Sequence, residues 1–208
     1  MIITIAGKLV RVGETSVAIE ATPFQYEVLV ADYTRRQLTP QVGQTVQLHT
    51  LDFIEGGPQG GRMVPRLIGF QTEPERQFFD LFCSVDGVGV KKALRAMVRP
   101  VHELASAIES QDAKQLSALP GIGPATSERV IAKLRRKMPR FALMVAKDEV
   151  AGEIDGGSAA IVRDTFEALV ALGHNESDAR QLIDDAMAST KKYKDTEALL
   201  TAIYQRRQ

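Results

Sequence analysis

The sequence predicts a multidomain protein in which one all-β segment is followed by all-α segments. Residues 1–70 alternate apolar and polar positions with a period of two, as half-buried strands do. Residues 71–145 change to the spacing of amphipathic helices, and the helical pattern returns after an acidic, glycine-bearing stretch at 146–158. At 208 residues, the chain is long enough for one to three domains with cores of their own.

The strands of the first segment are short and are separated by turn-like stretches. The runs "TSVAIEA", "YEVLVA" and "QTVQLHTLDFI" are rich in β-branched residues or alternate in polarity. Five or six such strands, with no helical stretch between them, predict a small closed barrel over residues 1–70. The stretch "EGGPQGGRMVP", from Glu55 to Pro65, predicts an exposed loop before a last strand, "RLIGF".

The second segment, residues 71–145, opens with a strong helix signal. Thr72 is a suitable N-cap and Pro74 falls in the first turn of "EPERQFFDLFCSV". The stretches "PVHELASAIES" and "DAKQLSAL" predict two further short helices.

The third segment is predicted to be a flexible linker, 146–158, followed by a small bundle of three helices over 159–208. Gly173 is placed to end the first of these helices, and Asn175 or Ser177 to cap the next.

Charge is spread unevenly along a chain whose net charge is zero. Residues 73–145 hold 12 Lys and Arg against 8 Asp and Glu, whereas residues 146–208 hold 8 against 12. A basic middle segment suits an anionic partner, although a solvated face has a similar composition. Cys83 is the single cysteine, which excludes an internal disulfide and favours a reducing cytosol, so we expect a cytoplasmic protein. No apolar run has the length of a membrane span.

A Gly-apolar-Gly motif occurs twice in the basic segment, 34 residues apart. Each copy is predicted to join a short helix to a second helix, and this arrangement resembles the helix-hairpin-helix, a DNA-binding motif. The two copies are Gly87, Val88 and Gly89, and Gly121, Ile122 and Gly123. Apolar flanking positions also match, with Phe82, Val85 and Met97 corresponding to Leu116, Leu119 and Ile131.

Such a turn offers backbone N–H groups to phosphates at the start of a helix. Lys91 and Lys92 add charge in the first copy, and Arg129 or Lys133 does so in the second. Contacts of this kind hold a duplex without distinguishing its bases, so binding should be sensitive to salt and specific at most for DNA structure. The alternative is that each motif is only a tight turn between packed helices.

The glycines do not match two common nucleotide-binding motifs. Neither copy has the third glycine and preceding strand of a dinucleotide site, and Gly56 to Gly61 has P-loop spacing but is followed by Arg62 and Met63. The three histidines are scattered without metal-ligand spacing. We therefore predict neither a cofactor nor a metal.

The order of segments and several motifs together resemble the RuvA family, the Holliday-junction-binding subunits of RuvAB branch-migration complexes. The resemblance covers nearly the whole chain and is carried by "FQYEVLV", "LIGF" before "EPERQFFDLF", "VDGVGVKKAL", "LPGIGPATSERVIAKL" and "LVALGHNESDAR". It implies that the barrel is an OB-fold, that barrels build a homotetramer, and that one or two tetramers hold a four-way DNA junction.

The resemblance also implies roles for particular residues. Glu55 would belong to an acidic pin at the centre of the junction, where it repels phosphates and separates strands. Leu169, Leu172 and Gly173 in the tail would bind the RuvB motor ATPase, and the RuvC resolvase would cut the junction. The chain itself would hydrolyse nothing.

Three positions depart from the family pattern. Gly56 stands where a second acid is usual, Pro124 and Ala125 where basic residues are common, and His174 where an aromatic residue is usual. For Glu55 the alternative is an ordinary surface loop. For the two leucines, the alternative is the bundle's own core.

Two other classes of protein share some of these features. A hairpin-type DNA glycosylase has a catalytic lysine two residues after the second glycine, but that position is Ala125 in the second copy. In the first copy it is Lys91, with no clear partner aspartate after it. A pure interaction protein is the other alternative, because the tail resembles a ubiquitin-associated-type (UBA-like) bundle.

Overall fold

The computed structural model of the protein describes residues 1–56, 62–142, 156–189 and 193–205. Contacts divide the chain into two compact units, the first made of Met1–Arg99 and Ser117–Thr126, and the second of Pro100–Leu116 and Ser127–Gln208. The division into segments 1–70, 71–145, 146–158 and 159–208 stays a prediction.

Five strands of the first unit form a closed barrel in the order β1-β2-β3-β5-β4. The strands are β1 (Thr4–Val12), β2 (Ser16–Ala21), β3 (Phe24–Val30), β4 (Thr45–Glu55) and β5 (Val64–Phe70). Neighbouring strands are antiparallel except β3 and β5, which are parallel. The predicted OB-fold barrel, a five-stranded Greek-key architecture, is confirmed.

The barrel is filled by the side chains that its strands direct inward, because successive residues of a strand face opposite sides. This core consists of Ile5, Leu9, Val17, Ile19, Val28, Val30, Leu38, Val46 and Leu48. The last strand begins earlier than expected, since β5 includes Val64 and Pro65, and Pro65 is opposite Ile54 of β4.

The expectation that residues 1–70 contain no helix is wrong. Helix α1 (Asp32–Leu38) follows β3, and a 3-10 turn (Thr39–Gln41) follows α1. Arg35 donates to Asp32 Oδ1 at 2.6 Å, and Leu38 belongs to the barrel core with 1% of its surface exposed. A short helix whose last residue is apolar thus closes part of the barrel.

Helix α2 (Glu73–Cys83) follows the barrel and begins where the sequence predicts. Thr72 Oγ1 accepts a hydrogen bond from the N–H of Glu75 at 3.3 Å, as an N-cap does. Phe79 of α2 lies beside Phe70 of β5 with ring centroids 5.0 Å apart, so the helix is anchored on the barrel by an aromatic pair. Helix α3 (Val90–Ala96) completes the described helices that lie wholly in this unit.

The remaining helices lie wholly or mostly in the second unit. They are α4 (Val101–Glu109), α5 (Ala113–Ser117), α6 (Pro124–Leu134), α7 (Pro139–Ala142), α8 (Gly156–Ala171), α9 (Glu176–Ser189) and α10 (Thr196–Gln205). A second 3-10 turn (Arg135–Lys137) follows α6. Within the described ranges, no helix is both long and apolar enough to pass through a membrane.

The predicted three-helix bundle is formed by α8, α9 and α10. Its core consists of Phe166, Leu169, Ala179, Ile183, Ala186, Leu199 and Ile203. Gly173 follows α8 with a φ of +97°, and the N-cap of α9 is Asn175, whose Oδ1 accepts from the N–H of Asp178 at 2.8 Å. The predicted linker, 146–158, lies outside the described residues except for 156–158, which form the first turn of α8.

Candidate nucleic-acid interface

The two Gly-apolar-Gly turns both lie in the first unit and have the same backbone conformation. Gly87 has a φ of +84° and Gly121 a φ of +81°. Glycine adopts this left-handed region without the steric penalty that a Cβ brings. The repeat seen in the sequence is therefore a repeat of backbone geometry, and its first glycine is required by the conformation of each turn.

The middle residues of the turns are anchors. The side chains of Val88 and Ile122 are both 3% exposed. Their N–H groups are also occupied, since Val88 donates to the carbonyl of Val85 at 2.9 Å and Ile122 to that of Leu119 at 3.0 Å. Val88 and Ile122 therefore hold the turns in place, and the main-chain groups that can reach a ligand belong to the glycines beside them.

Those glycines face outward. All four are exposed, and among the described residues no hydrogen bond uses their N–H groups. A Cβ placed on Gly89 or Gly123 would meet nothing within 4 Å. The surface over the second glycine of each turn is thus open to close approach.

The first turn is followed at once by two lysines. Gly89 is the N-cap of α3, with φ −87° and ψ 169°. The first N–H groups of a helix have no partner inside it and form its electropositive end. Lys91 and Lys92 extend from this end, and a Cβ on Gly121 would lie 3.4 Å from Lys92 Cγ. The two turns are therefore neighbours.

The second turn leads into α6, whose first residue is Pro124, as predicted. Val130 and Leu134 are fully buried on one face of α6. Arg129 and Lys133 are exposed on the same helix. Their placement fits the predicted role in holding phosphates, which stays a prediction.

Glu55 is the last residue of β4, and the chain turns sharply after it. Gly56 has a φ of +119°, and a Cβ there would lie 2.6 Å from the backbone oxygen of Arg62. This backbone has no room for an acidic side chain at position 56. Glycine at position 56 fits this turn, and an acidic residue there would require a different backbone.

The carboxylate of Glu55 is held by two cations, an arrangement that the sequence analysis missed. Lys91 Nζ lies 2.5 Å from Glu55 Oε1, and Arg66 Nε donates to Glu55 Oε2 at 2.8 Å. Hydrogen bonds from Lys91 and then Arg66 hold the pKa of Glu55 below its ordinary value. The predicted phosphate-binding lysine and the predicted pin acid are thus paired with each other.

Arg66 is in turn fixed on the barrel surface. Its Nη1 donates to Glu27 Oε2 at 3.0 Å, and Ser16 Oγ donates to Glu27 Oε1 at 3.1 Å. Arg66 lies two residues from the position opposite Glu55 in the β4–β5 ladder. The Arg66–Glu55 pair depends on this register, which the sequence alone does not give.

The predicted motor-binding residues differ in exposure. Leu169 is fully buried in the three-helix core, whereas Leu172 is 65% exposed beside the turn at Gly173. Next to it, His174 Nε2 lies 3.3 Å from the hydroxyl of Tyr204. Leu172 therefore has the accessible apolar surface, and Leu169 supports the bundle from inside.

The cysteine and the possible metal ligands do not form a second candidate site among the described residues. Burial raises the pKa of Cys83 to about 12, so its thiol stays protonated and unreactive at neutral pH. Over the ranges that the structure describes, no group of three His, Cys, Asp or Glu side chains is arranged to hold a metal ion.

The barrel and the paired turns define a protein that joins an OB-fold to a tandem helix-hairpin-helix domain. Comparison with protein families agrees with this description. Residues 1–54 match the RuvA N terminal domain, and residues 79–136 match the SAM-like helix-hairpin-helix tandem.

Relatives that match over nearly the whole chain identify the family more specifically. The chain is 75% identical over 206 residues to the Holliday junction branch migration complex subunit RuvA of Rhodopirellula baltica, with 99% of each chain covered. It is 35% identical over 212 residues to the protein of the same name from Desulfatibacillum aliphaticivorans, with 98% of each covered. It is 36% identical over 204 residues to that from Opitutus terrae, covering 96% of this chain and 98% of the relative. The chain belongs to the RuvA family.

Proposed function

We propose that this protein binds four-way DNA junctions and acts as the scaffold subunit of a branch-migration complex. It holds the phosphates of the duplex arms and does not distinguish base sequence. The main support for this proposal is the pair of glycine turns. Two neighbouring glycine turns of equal conformation present open main-chain surface, and the first turn adds Lys91 and Lys92. Two such turns suit the two backbones that face each other across a groove.

The family relationship supports the rest of the assembly. Barrels associate into a homotetramer, so that four pairs of turns hold four arms, and one or two tetramers enclose the junction. Large apolar side chains on the barrel surface are available for such contacts: Ile3, Phe24, Ile54 and Met63, which are 61–66% exposed.

The three-helix bundle recruits the RuvB motor ATPase through the exposed surface at Leu172, and the junction is then resolved by RuvC. The chain contributes no hydrolysis of its own, and its work is done in the cytoplasm. Ala125 stands where a hairpin-type glycosylase has its catalytic lysine, and Lys91 in the first copy is paired with Glu55. Neither position favours the glycosylase alternative.

The test is a gel-shift competition at moderate salt between a four-way junction and a linear duplex of the same arm sequence. We expect a strong preference for the junction. Replacing Lys91 and Lys92 together with alanine should weaken binding to both DNAs, whereas Lys194→Ala, a change to an exposed lysine of the tail, should not. Equal binding of junction and duplex would leave only a general duplex binder, and no binding would favour the interaction-protein alternative.

A further inference from the structure

We infer that Glu55 governs DNA binding by competing with phosphate for Lys91. In the free protein the carboxylate of Glu55 holds the ammonium group of Lys91, and a DNA phosphate has to displace it. This inference rests on the proposed function, because the competing anion is a phosphate of the DNA.

The geometry of the pair suits an exchange. Lys91 Nζ lies 2.5 Å from Glu55 Oε1, so the two side chains form an ion pair within the protein. The Lys91 side chain is 70% exposed and that of Glu55 is 27% exposed. Lysine is a point charge on a flexible stem, so Lys91 can turn from one anion to another while the carboxylate stays in place.

Arg66 keeps the carboxylate in place. Its guanidinium contacts Glu55 at 2.8 Å and Glu27 at 3.0 Å. When Lys91 leaves, Glu55 retains Arg66 as a partner. Arg66 is therefore a positioning residue, and the exchange breaks one ion pair and forms one ion pair.

Competition differs from direct repulsion in one measurable respect. Repulsion between Glu55 and a phosphate acts through space, and it persists whatever residue stands at position 91. Competition requires Lys91, and it disappears when that ammonium group is removed. A double-mutant cycle separates the two mechanisms.

The experiment measures the affinity of the full-length protein for a linear duplex and a four-way junction at one low salt concentration. The proteins are wild type, Glu55→Gln, Lys91→Met and the double variant. Competition predicts that Glu55→Gln tightens binding about two- to fivefold when Lys91 is present, the range expected for an exposed ion pair. It predicts no gain from the same change in the Lys91→Met background. An equal gain in both backgrounds, or a gain in neither, would overturn the inference.

Lys92→Met is the matched control, because Lys92 lies on the same turn of α3 and no ion pair of the described residues involves it. The changes in binding free energy caused by Lys92→Met and by Glu55→Gln should add.

A second measurement needs no DNA: carboxyl NMR titration of Glu55 should show a higher pKa in Lys91→Met than in wild type. An unchanged pKa would show that the pair does not form in solution. If wild type binds neither DNA, the proposed function fails; if it binds but the cycle shows no coupling, only this inference fails.

Discussion

Replacing the two glycines of one turn, each by alanine, should separate folding from DNA binding. Gly87→Ala puts a Cβ on a residue with a φ of +84°, a conformation that costs a non-glycine residue about 1–2 kcal/mol. The lower entropy of the unfolded chain offsets about 0.4–1 kcal/mol of this. The net loss of stability is about 1 kcal/mol. With a urea dependence of about 2 kcal/mol per M, the unfolding midpoint should fall by about 0.5 M.

Gly89→Ala should have the opposite effect: it should weaken junction binding and leave stability nearly unchanged. Its φ is −87° and its Cβ would meet nothing within 4 Å, so the stability should stay within about 0.5 kcal/mol of wild type. The new methyl group would stand on the surface that a phosphate has to approach. Losing one charged hydrogen bond costs about 1.5–3 kcal/mol, which is a loss in junction affinity of about tenfold or more.

Urea unfolding followed by circular dichroism measures the first effect, and fluorescence anisotropy with a labelled four-way junction measures the second. Gly121→Ala and Gly123→Ala repeat the experiment in the second turn. Two results would refute the reasoning. One is a Gly89→Ala protein that is fully folded and binds junctions as tightly as wild type. The other is a Gly87→Ala protein with an unchanged midpoint.

Four further predictions concern the three-helix bundle, helix α2 and the lysine next to Lys91. Leu169→Ala should destabilise the three-helix bundle by about 2–5 kcal/mol because Leu169 is fully buried. Leu172→Ala should leave stability nearly unchanged but weaken capture of the RuvB motor in a pull-down; undiminished capture would contradict the proposed surface. The hydrogen bond from Arg76 lowers the pKa of Glu73 to about 2, so the stability it contributes is complete above the ordinary value of 4.5 and is lost as the pH falls towards 2. The urea midpoints of wild type and Glu73→Gln should therefore converge over that interval, and parallel curves would count against the pair. Finally, Lys92→Met should reduce the slope of log affinity against log salt by about 0.9, the value for one phosphate contact, and an unchanged slope would remove Lys92 from the interface.

The sequence predicted most reliably what depends on local backbone geometry. The turns at Gly87 and Gly121 were found because a left-handed residue followed by a helix start leaves a recognisable pattern, and the pattern occurs twice. Thr72 and Gly173 were found for the same reason, since helix ends select residue types directly. The barrel followed from strand periodicity.

The features that the sequence did not reveal are a very short helix and contacts that depend on how elements pack in the fold. Helix α1 has only two turns, with Thr34 and Leu38 as its buried residues, so it shows too little periodicity to be recognised. The pairing of Glu55 with Lys91 joins residues 36 positions apart in sequence, on a strand and a helix whose relative placement only the fold decides. Leu169 and Leu172 lie one turn apart at the end of a helix, and packing against α9 and α10 determines that only the first is buried.

The main-chain construction of the turns has a consequence for how this protein tolerates genetic change. Pro124 and Ala125 follow the second turn where Val90 and Lys91 follow the first, yet the φ angles of the two first glycines are +81° and +84°. The N–H groups of the turn glycines are present whatever side chains follow them at positions 124 and 125. In a library of random variants selected for repair of DNA damage, positions 124 and 125 should therefore accept more residues than positions 87 and 121, where any other residue has to adopt a left-handed backbone.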